Sequence, residues 1–264
     1  MASRTVTLAS EEAASDFTTW VRQIDAALHN PETNRNDLCR EVLAELYFGK
    51  TYSALEAGAK TLASKILIHS FDPRSVTLEA EYYAELDPEK FARAKPILWL
   101  WQMFDRSPAG HNVHLGVMLR QMLAGHLFKH CGDNVRLFHG IEFSFGYNVS
   151  IGDGTTVHRH VLIDDRGEVV IGKNVSVSDY VNIYSHAHAI TDISNVSTGK
   201  TVIEDNVRLT YHSTVLSGMT VGEDSMVGTF GVVTRDVRPH HINVGIPAKS
   251  VRVKPGHSSR ETLS

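Results

Sequence analysis

Cysteine is nearly absent from this 264-residue chain, which carries Cys39 and Cys131 and no others. They lie in different regions, and neither has a partner at metal-ligand spacing. The residues therefore read as free thiols of a reducing cytoplasm rather than as a disulfide or zinc framework. Positive charge is not in excess either. With 26 Lys and Arg against 30 Asp and Glu the formal net charge is −4, which leaves no electrostatic footprint for nucleic acid or an anionic membrane surface. Long apolar runs are lacking as well. The longest, such as Ile97-Leu98-Trp99-Leu100-Trp101, is far too short to span a bilayer. Met1 to Ser10 shows no basic stretch followed by an apolar core, so no secretory signal is read there.

What is present is ordinary in bulk. Hydrophobic residues make up 42% and charged ones 21%, and the length suffices to bury one or two cores. The 15 histidines are more than such a composition leads one to expect.

The first half has helical spacing. Phe17, Trp20, Val21, Ile24 and Leu28 recur every three or four residues and line one face. Ser10 with Glu11 and Glu12 is a start signal, and Asn30-Pro31 a stop. Further helices are expected from about Asp37 to Phe48, Tyr52 to Ile68, Pro88 to Phe104 and Leu115 to Lys129, with Phe71-Asp72-Pro73 breaking the third. None carries a chemical motif, and a bundle that buries its own apolar faces is the reading of this region.

The second half changes period. From Ile151 an aliphatic residue recurs every six positions: Ile151, Val157 and Ile163, then after a two-residue shift Ile171, Val177 and Ile183. After a longer interruption the series resumes at Ile203, Leu209, Val215, Val221, Val227 and Val233. A companion register two residues earlier holds mostly small or β-branched residues, among them Val149, Thr155, Val161, Val175, Val207 and Ser213. Period six fits neither a helix nor an alternating strand. It fits short strands joined by tight corners, each coil stacked on the last about 4.8 Å away with aliphatic ladders inside. Glycine follows the key aliphatic at Gly152, Gly172, Gly222 and Gly228, where a corner is expected to favour a residue without Cβ. Residues 131 to 146, with Val135 and Ile141 six apart, add a less regular first coil, and the helix ending near Lys129 would cap the open end. The expected class is thus α+β: a helical region over residues 1–130, a parallel β-helix over 131–254, and a disordered tail over 255–264.

Three stretches of the second half resemble the hexapeptide-repeat acyltransferases, in particular the maltose and galactoside O-acetyltransferase branch. They are Ile183-Tyr184-Ser185-His186-Ala187-His188 before the interruption, Val161-Leu162-Ile163-Asp164-Asp165, and the closing Gly245-Ile246-Pro247-Ala248-Lys249. The likeness covers roughly Asp133 to Lys254 and implies a left-handed coil, assembly as a homotrimer, and acetyl-coenzyme A as donor with no metal. It further implies transfer of an acetyl or other short acyl group to a hydroxyl of a sugar or another small acceptor. His188 matches the family's catalytic histidine and is read as the general base, with His186 as the rival. A base of near-neutral pKa is what transfer to a hydroxyl requires. Asp165, beside Asp164, matches an acceptor-contacting aspartate, and His158 stands where the family often has an acceptor-binding asparagine.

On the donor side the chain departs from the family. Arg208, Thr210, Tyr211 and His212 replace Trp, Gly and small residues, and Phe230 after Thr229 replaces another small one. These residues would narrow or redirect the coenzyme A channel, while Lys249 and Arg252, with Lys254 beyond them, would meet its phosphates or form a solvated basic tail. Two other readings stand beside this one. One is a non-catalytic β-helix scaffold. The other is a zinc carbonic-anhydrase-like enzyme, against which the β-helix lacks the expected His-x4-His pair.

Overall fold

In the computed structural model, residue 8 and residues 10–257 are described. Most of Met1–Ser10, read above for a leader, and residues 258–264 of the expected tail lie outside them; residues 255–257 form a turn.

Among the described residues, six α-helices precede the coil: α1 (Glu11–His29), α2 (Arg35–Phe48), α3 (Tyr52–Gly58), α4 (Leu62–His69), α5 (Pro88–Arg106) and α6 (Val113–Leu127). Local chemistry sets their ends. Ser10 Oγ accepts the Ala13 N–H at 3.1 Å to start α1, as its position suggests. The third expected helix is divided in two. Thr61 caps a new start, accepting the Ser64 N–H at 3.1 Å while Ser64 Oγ accepts the Thr61 N–H at 3.1 Å. That reciprocal pair outweighs continuation through Gly58. The buried faces of α5 and α6 supply the largest part of the helical core, with Trp101, Phe104, Leu119 and Leu123 almost fully enclosed.

From His130 the chain winds as a parallel β-helix with three faces. The first face stacks strands His130–Cys131, Val149–Ile151, Glu168–Ile171, Lys200–Ile203 and Thr220–Val221. The second runs from Arg136–Leu137 through Thr156–Val157, Ser176–Val177, Arg208–Leu209 and Met226–Val227 to His241–Val244, with Lys249–Val253 closing it antiparallel. The third stacks Glu142–Phe143, Leu162–Asp164, Asn182–Tyr184, Thr214–Val215 and Val232–Val233. All twelve period-six aliphatics are at most 1% exposed, and they pair rung on rung, Ile163 on Ile183 and Ile183 on Val215. The expected first coil is present, with Val135 and Ile141 buried.

The corner glycines have a different cause from the one expected. Gly152 and Gly172 do not take the left-handed conformation; a Cβ on Gly152 would lie 2.8 Å from the Gly172 carbonyl carbon in the next rung. Close stacking excludes the side chain. The left-handed positions fall two residues later, on Gly154, Asn174, Asn206 and Asp224, where Asn and Asp pay the smallest penalty after glycine.

Helix α6 leads into the coil and seals its open end. Lys129 N–H donates to Val149 O at 2.9 Å. Trp101, Phe128 and Phe143 meet edge-on or tilted at centroid separations of 5.1 to 6.3 Å, covering the first rung with apolar area rather than with an exposed sheet edge. Among the described residues, no helix is long and apolar enough to cross a membrane.

Candidate functional site

The helical layer does not lie flat on the coil. Between α5 with its neighbouring turns and the third face of the coil runs a cleft of about 880 Å3, towards the upper end of the range for small-molecule sites. Trp99, Gln102 and Asp105 line its helical wall, and Ser144, Leu162, Asp164, Tyr184 and His186 line the coil wall. His111, His139 and His160 sit together in it, with ring centroids 4.6 and 5.4 Å apart. Burial, and then the neighbouring His111, hold the His139 imidazole below the ordinary histidine range.

The cleft wall depends on one buried ion pair. Arg120 donates to Asp105 Oδ1 through Nε at 2.7 Å and to the Gly110 carbonyl at 2.6 Å. Asp105 Oδ2 in turn accepts the Gly140 N–H at 2.7 Å, so one carboxylate joins the helices to the first coil.

At the far end of the cleft the coil is interrupted. Strands His186–His188 and Val196–Thr198 form an antiparallel hairpin, with His186 opposite Thr198 and His188 opposite Val196. Both expected histidines are therefore on this excursion, their ring centroids 5.2 Å apart. His188 is exposed, and its Nδ1 lies 2.7 Å from the Ile193 carbonyl oxygen. A carbonyl only accepts, so Nδ1 is the donor, and in the neutral ring the free lone pair is then on Nε2. His186 is half-buried and its Nδ1 bonds the Asp164 carboxylate. Asp164 also accepts from Ser144 Oγ at 2.7 Å. A histidine one coil above an aspartate, 22 positions apart in the chain, is a pairing that the sequence does not display.

Of the two aspartates read as acceptor residues, Asp164 lines the cleft and Asp165 does not. Asp165 is fully buried; its carboxylate accepts the Phe145 N–H at 2.8 Å and the Asn148 N–H at 3.1 Å. It braces a corner of the coil and does not line the cleft. Burial pushes its pKa up to about 6 against the opposing pull of those N–H donors. Asp164, one residue earlier, is the one on the cleft. His158 also lies off the cleft, stacked on Phe138 at 5.1 Å.

The residues expected on the donor side gather at another corner of the coil. Thr210 Oγ1 donates to Val227 O at 2.7 Å and sits 3.5 Å from Thr229 Oγ1. Tyr211 and Phe230 are exposed beside them. His160, Tyr180, His212 and Phe230, one per coil, all have positive φ of 56 to 61°, and their rings stack at 4.9 to 5.0 Å. This continuous aromatic ladder escapes sequence reading, although its spacing of about one coil is a signal that could have found it. Lys249 and Arg252 lie exposed on the closing strand, while Lys254 is held by Asp224 at 2.6 Å.

A stack of coils built from six-residue repeats, with a histidine-bearing excursion, defines the class of hexapeptide-repeat proteins, and comparison with known proteins narrows it to acetyltransferases. No protein-family model matches the chain. A Staphylococcus aureus (strain Mu50) protein, provisionally named an acetyltransferase, is 32% identical over 55% of this chain and 75% of its own length. A maltose O-acetyltransferase of Clostridium difficile 630 superposes with a TM-score of 0.56 at 25% identity, over 66% of this chain and 91% of its own. A galactoside acetyltransferase solved in complex with coenzyme A gives 0.55 at 26% identity, over 63% and 81%. The chain belongs to the hexapeptide-repeat acetyltransferase family.

Proposed function

We propose that the protein transfers an acetyl or other short acyl group from coenzyme A to a hydroxyl of a sugar or similar small acceptor, with His188 as general base. The observation that carries this reading is the contact of His188 Nδ1 with the Ile193 carbonyl oxygen at 2.7 Å, which in the neutral ring leaves Nε2 to take a proton. Nε2 removes the acceptor hydroxyl proton as the oxygen attacks the thioester carbonyl, and returns that proton to the departing thiolate. No covalent enzyme intermediate is needed, consistent with the free thiols of Cys39 and Cys131, whose pKa values burial pushes up.

The acceptor is placed in the cleft. Its wall residue His186 brings it within one ring separation of His188, and Asp164 orients His186 for a hydroxyl. Glu79, Asp105, Glu142 and Asp164 all line this space against a single arginine, Arg106, which suits a neutral, hydroxyl-rich molecule better than an anion. Coenzyme A is assigned to the corner of Thr210, Tyr211, Thr229 and Phe230, with Lys249 and Arg252 for its phosphates. The galactoside enzyme with bound coenzyme A supports the donor. A homotrimer in the cytoplasm, in which the exposed aromatic ladder meets a second copy, completes the proposal.

The Asp164–His186 pair favours a second reading in which His186 is the base. Steady-state kinetics with acetyl-coenzyme A and a panel of glucosides and galactosides separates the two. His188→Ala should lower kcat by roughly 100- to 10,000-fold, while His186→Ala and Asp164→Asn should chiefly raise the acceptor KM. Retained turnover in His188→Ala, with loss in His186→Ala, transfers the role to His186.

A further inference from the structure

We propose that Asp25, His29 and His126 form a binding site for one divalent transition-metal ion of the zinc type, separate from the acyl-transfer site. Asp25 and His29 lie four residues apart on α1, so their side chains emerge one turn apart on the same face. His126, 101 residues later, meets them from the last turn of α6. Asp25 Oδ1 is 2.7 Å from His126 Nε2 and 3.2 Å from His29 Nδ1. The donor atoms of the three residues all lie within 4.8 Å of one another. A tetrahedral ion with bonds of 2.0–2.2 Å needs ligand separations of roughly 3.3–3.5 Å. Small side-chain rotations reach that spacing from the one observed.

The donor set also selects the ion. Two imidazoles and one carboxylate suit zinc, cobalt or nickel, whereas calcium and magnesium require a shell of oxygens. His126 is 10% exposed and His29 69%, so the site has a firm floor and an open approach. The three residues themselves line a cavity of about 510 Å3, together with Thr18, Arg22 and Gln121, which leaves room for water to complete the coordination. No residue lines both this cavity and the acceptor cleft.

A second trio, Asp224, His240 and His257, has comparable spacing but is unsuited. The Lys254 ammonium sits 2.6 Å from Asp224 Oδ1, in the place a cation would take. Among the described residues, Asp25 has no lysine or arginine partner; the two histidines are its only ion-pair contacts. Bound there, an ion would tie the first helix to the helix that seals the coil.

The test uses untagged full-length protein, stripped with chelator and titrated calorimetrically with zinc chloride. One ion per chain is expected, with the visible absorption of a low-symmetry cobalt(II) site when cobalt replaces zinc. At a zinc concentration 100-fold above Kd, Tm should rise by roughly 5–10 °C. His29→Ala and Asp25→Asn alter exposed or half-exposed residues and keep the fold; each should weaken binding at least tenfold, as should His126→Ala. Absence of binding at millimolar zinc overturns the proposal. So does binding that survives unchanged in His29→Ala and Asp25→Asn, since the ion would then lie elsewhere.

Discussion

Replacing Arg120 by Met should be among the most damaging single changes outside the coil. The guanidinium is 1% exposed and its Asp105 partner 10%. Burial lowers the Arg120 pKa while Asp105 opposes the shift, so the pair stands only because each charge answers the other. Methionine preserves most of the volume but leaves the Asp105 carboxylate with the Gly140 N–H alone, and leaves the Gly110 carbonyl without the donor now at 2.6 Å. Breaking a buried pair from one side costs about 3–5 kcal/mol. At about 2–4 °C per kcal/mol for a chain of this size, Tm should fall by roughly 6–20 °C. Differential scanning calorimetry measures it, and the double variant Arg120→Met with Asp105→Leu supplies the control. With both charges removed, the loss should be smaller than the sum of the single losses by about 2 kcal/mol or more. A Tm within about 2 °C of the parent, or strictly additive losses, would refute the view that this pair locks the helices to the first coil. Because Asp105 also walls the cleft, Arg120→Met should raise the acceptor KM as well.

Two further outcomes follow from the packing and the buried carboxylate. Ile183→Ala removes three carbons from a fully buried position clasped between Ile163 and Val215. Rungs fixed by backbone hydrogen bonds cannot collapse into the hole, so a loss of about 3–5 kcal/mol is expected in urea unfolding with an unchanged m value; a loss under 1 kcal/mol would show that the ladder is loosely packed. Asp165 is an acid whose folded pKa is raised to about 6 from 3.8. Its stabilising contribution is therefore full below about pH 4 and lost as pH rises through 6. The stability difference between the parent and Asp165→Asn should drop on the order of 3 kcal/mol across that window, and a flat difference in denaturant titrations would contradict the assignment.

Much of the fold was legible because the coil interior tolerates so little. Each inward position faces its counterparts one rung above and below, so twelve of twelve had to be Ile, Leu or Val. The break at Ala59 to Thr61 was harder to see, since the Thr61–Ser64 cap is a weak signal inside an apolar stretch. The site was half readable. His186 and His188 stand out by position, yet which of two adjacent aspartates points inward depends on how the chain turns a corner lengthened by two residues. Asp164 faces the cleft, held by Ser144 and His186, and Asp165 the corner, held by the Phe145 and Asn148 N–H groups. The cleft itself joins residues from α5 to the hairpin, and no local pattern records a space between two layers.

The hairpin that carries both histidines has a consequence for what the coil tolerates. Strand Lys200–Ile203 pairs directly with Glu168–Ile171, and Gly199 N–H closes the root of the excursion on Ser185 O at 2.7 Å. The stack is thus continuous beneath the loop, as a stem is beneath a side shoot. Residues 189 to 195 can therefore change length without shifting the register of the trunk, but any change that moves the Ile193 carbonyl also moves the His188 ring bonded to it.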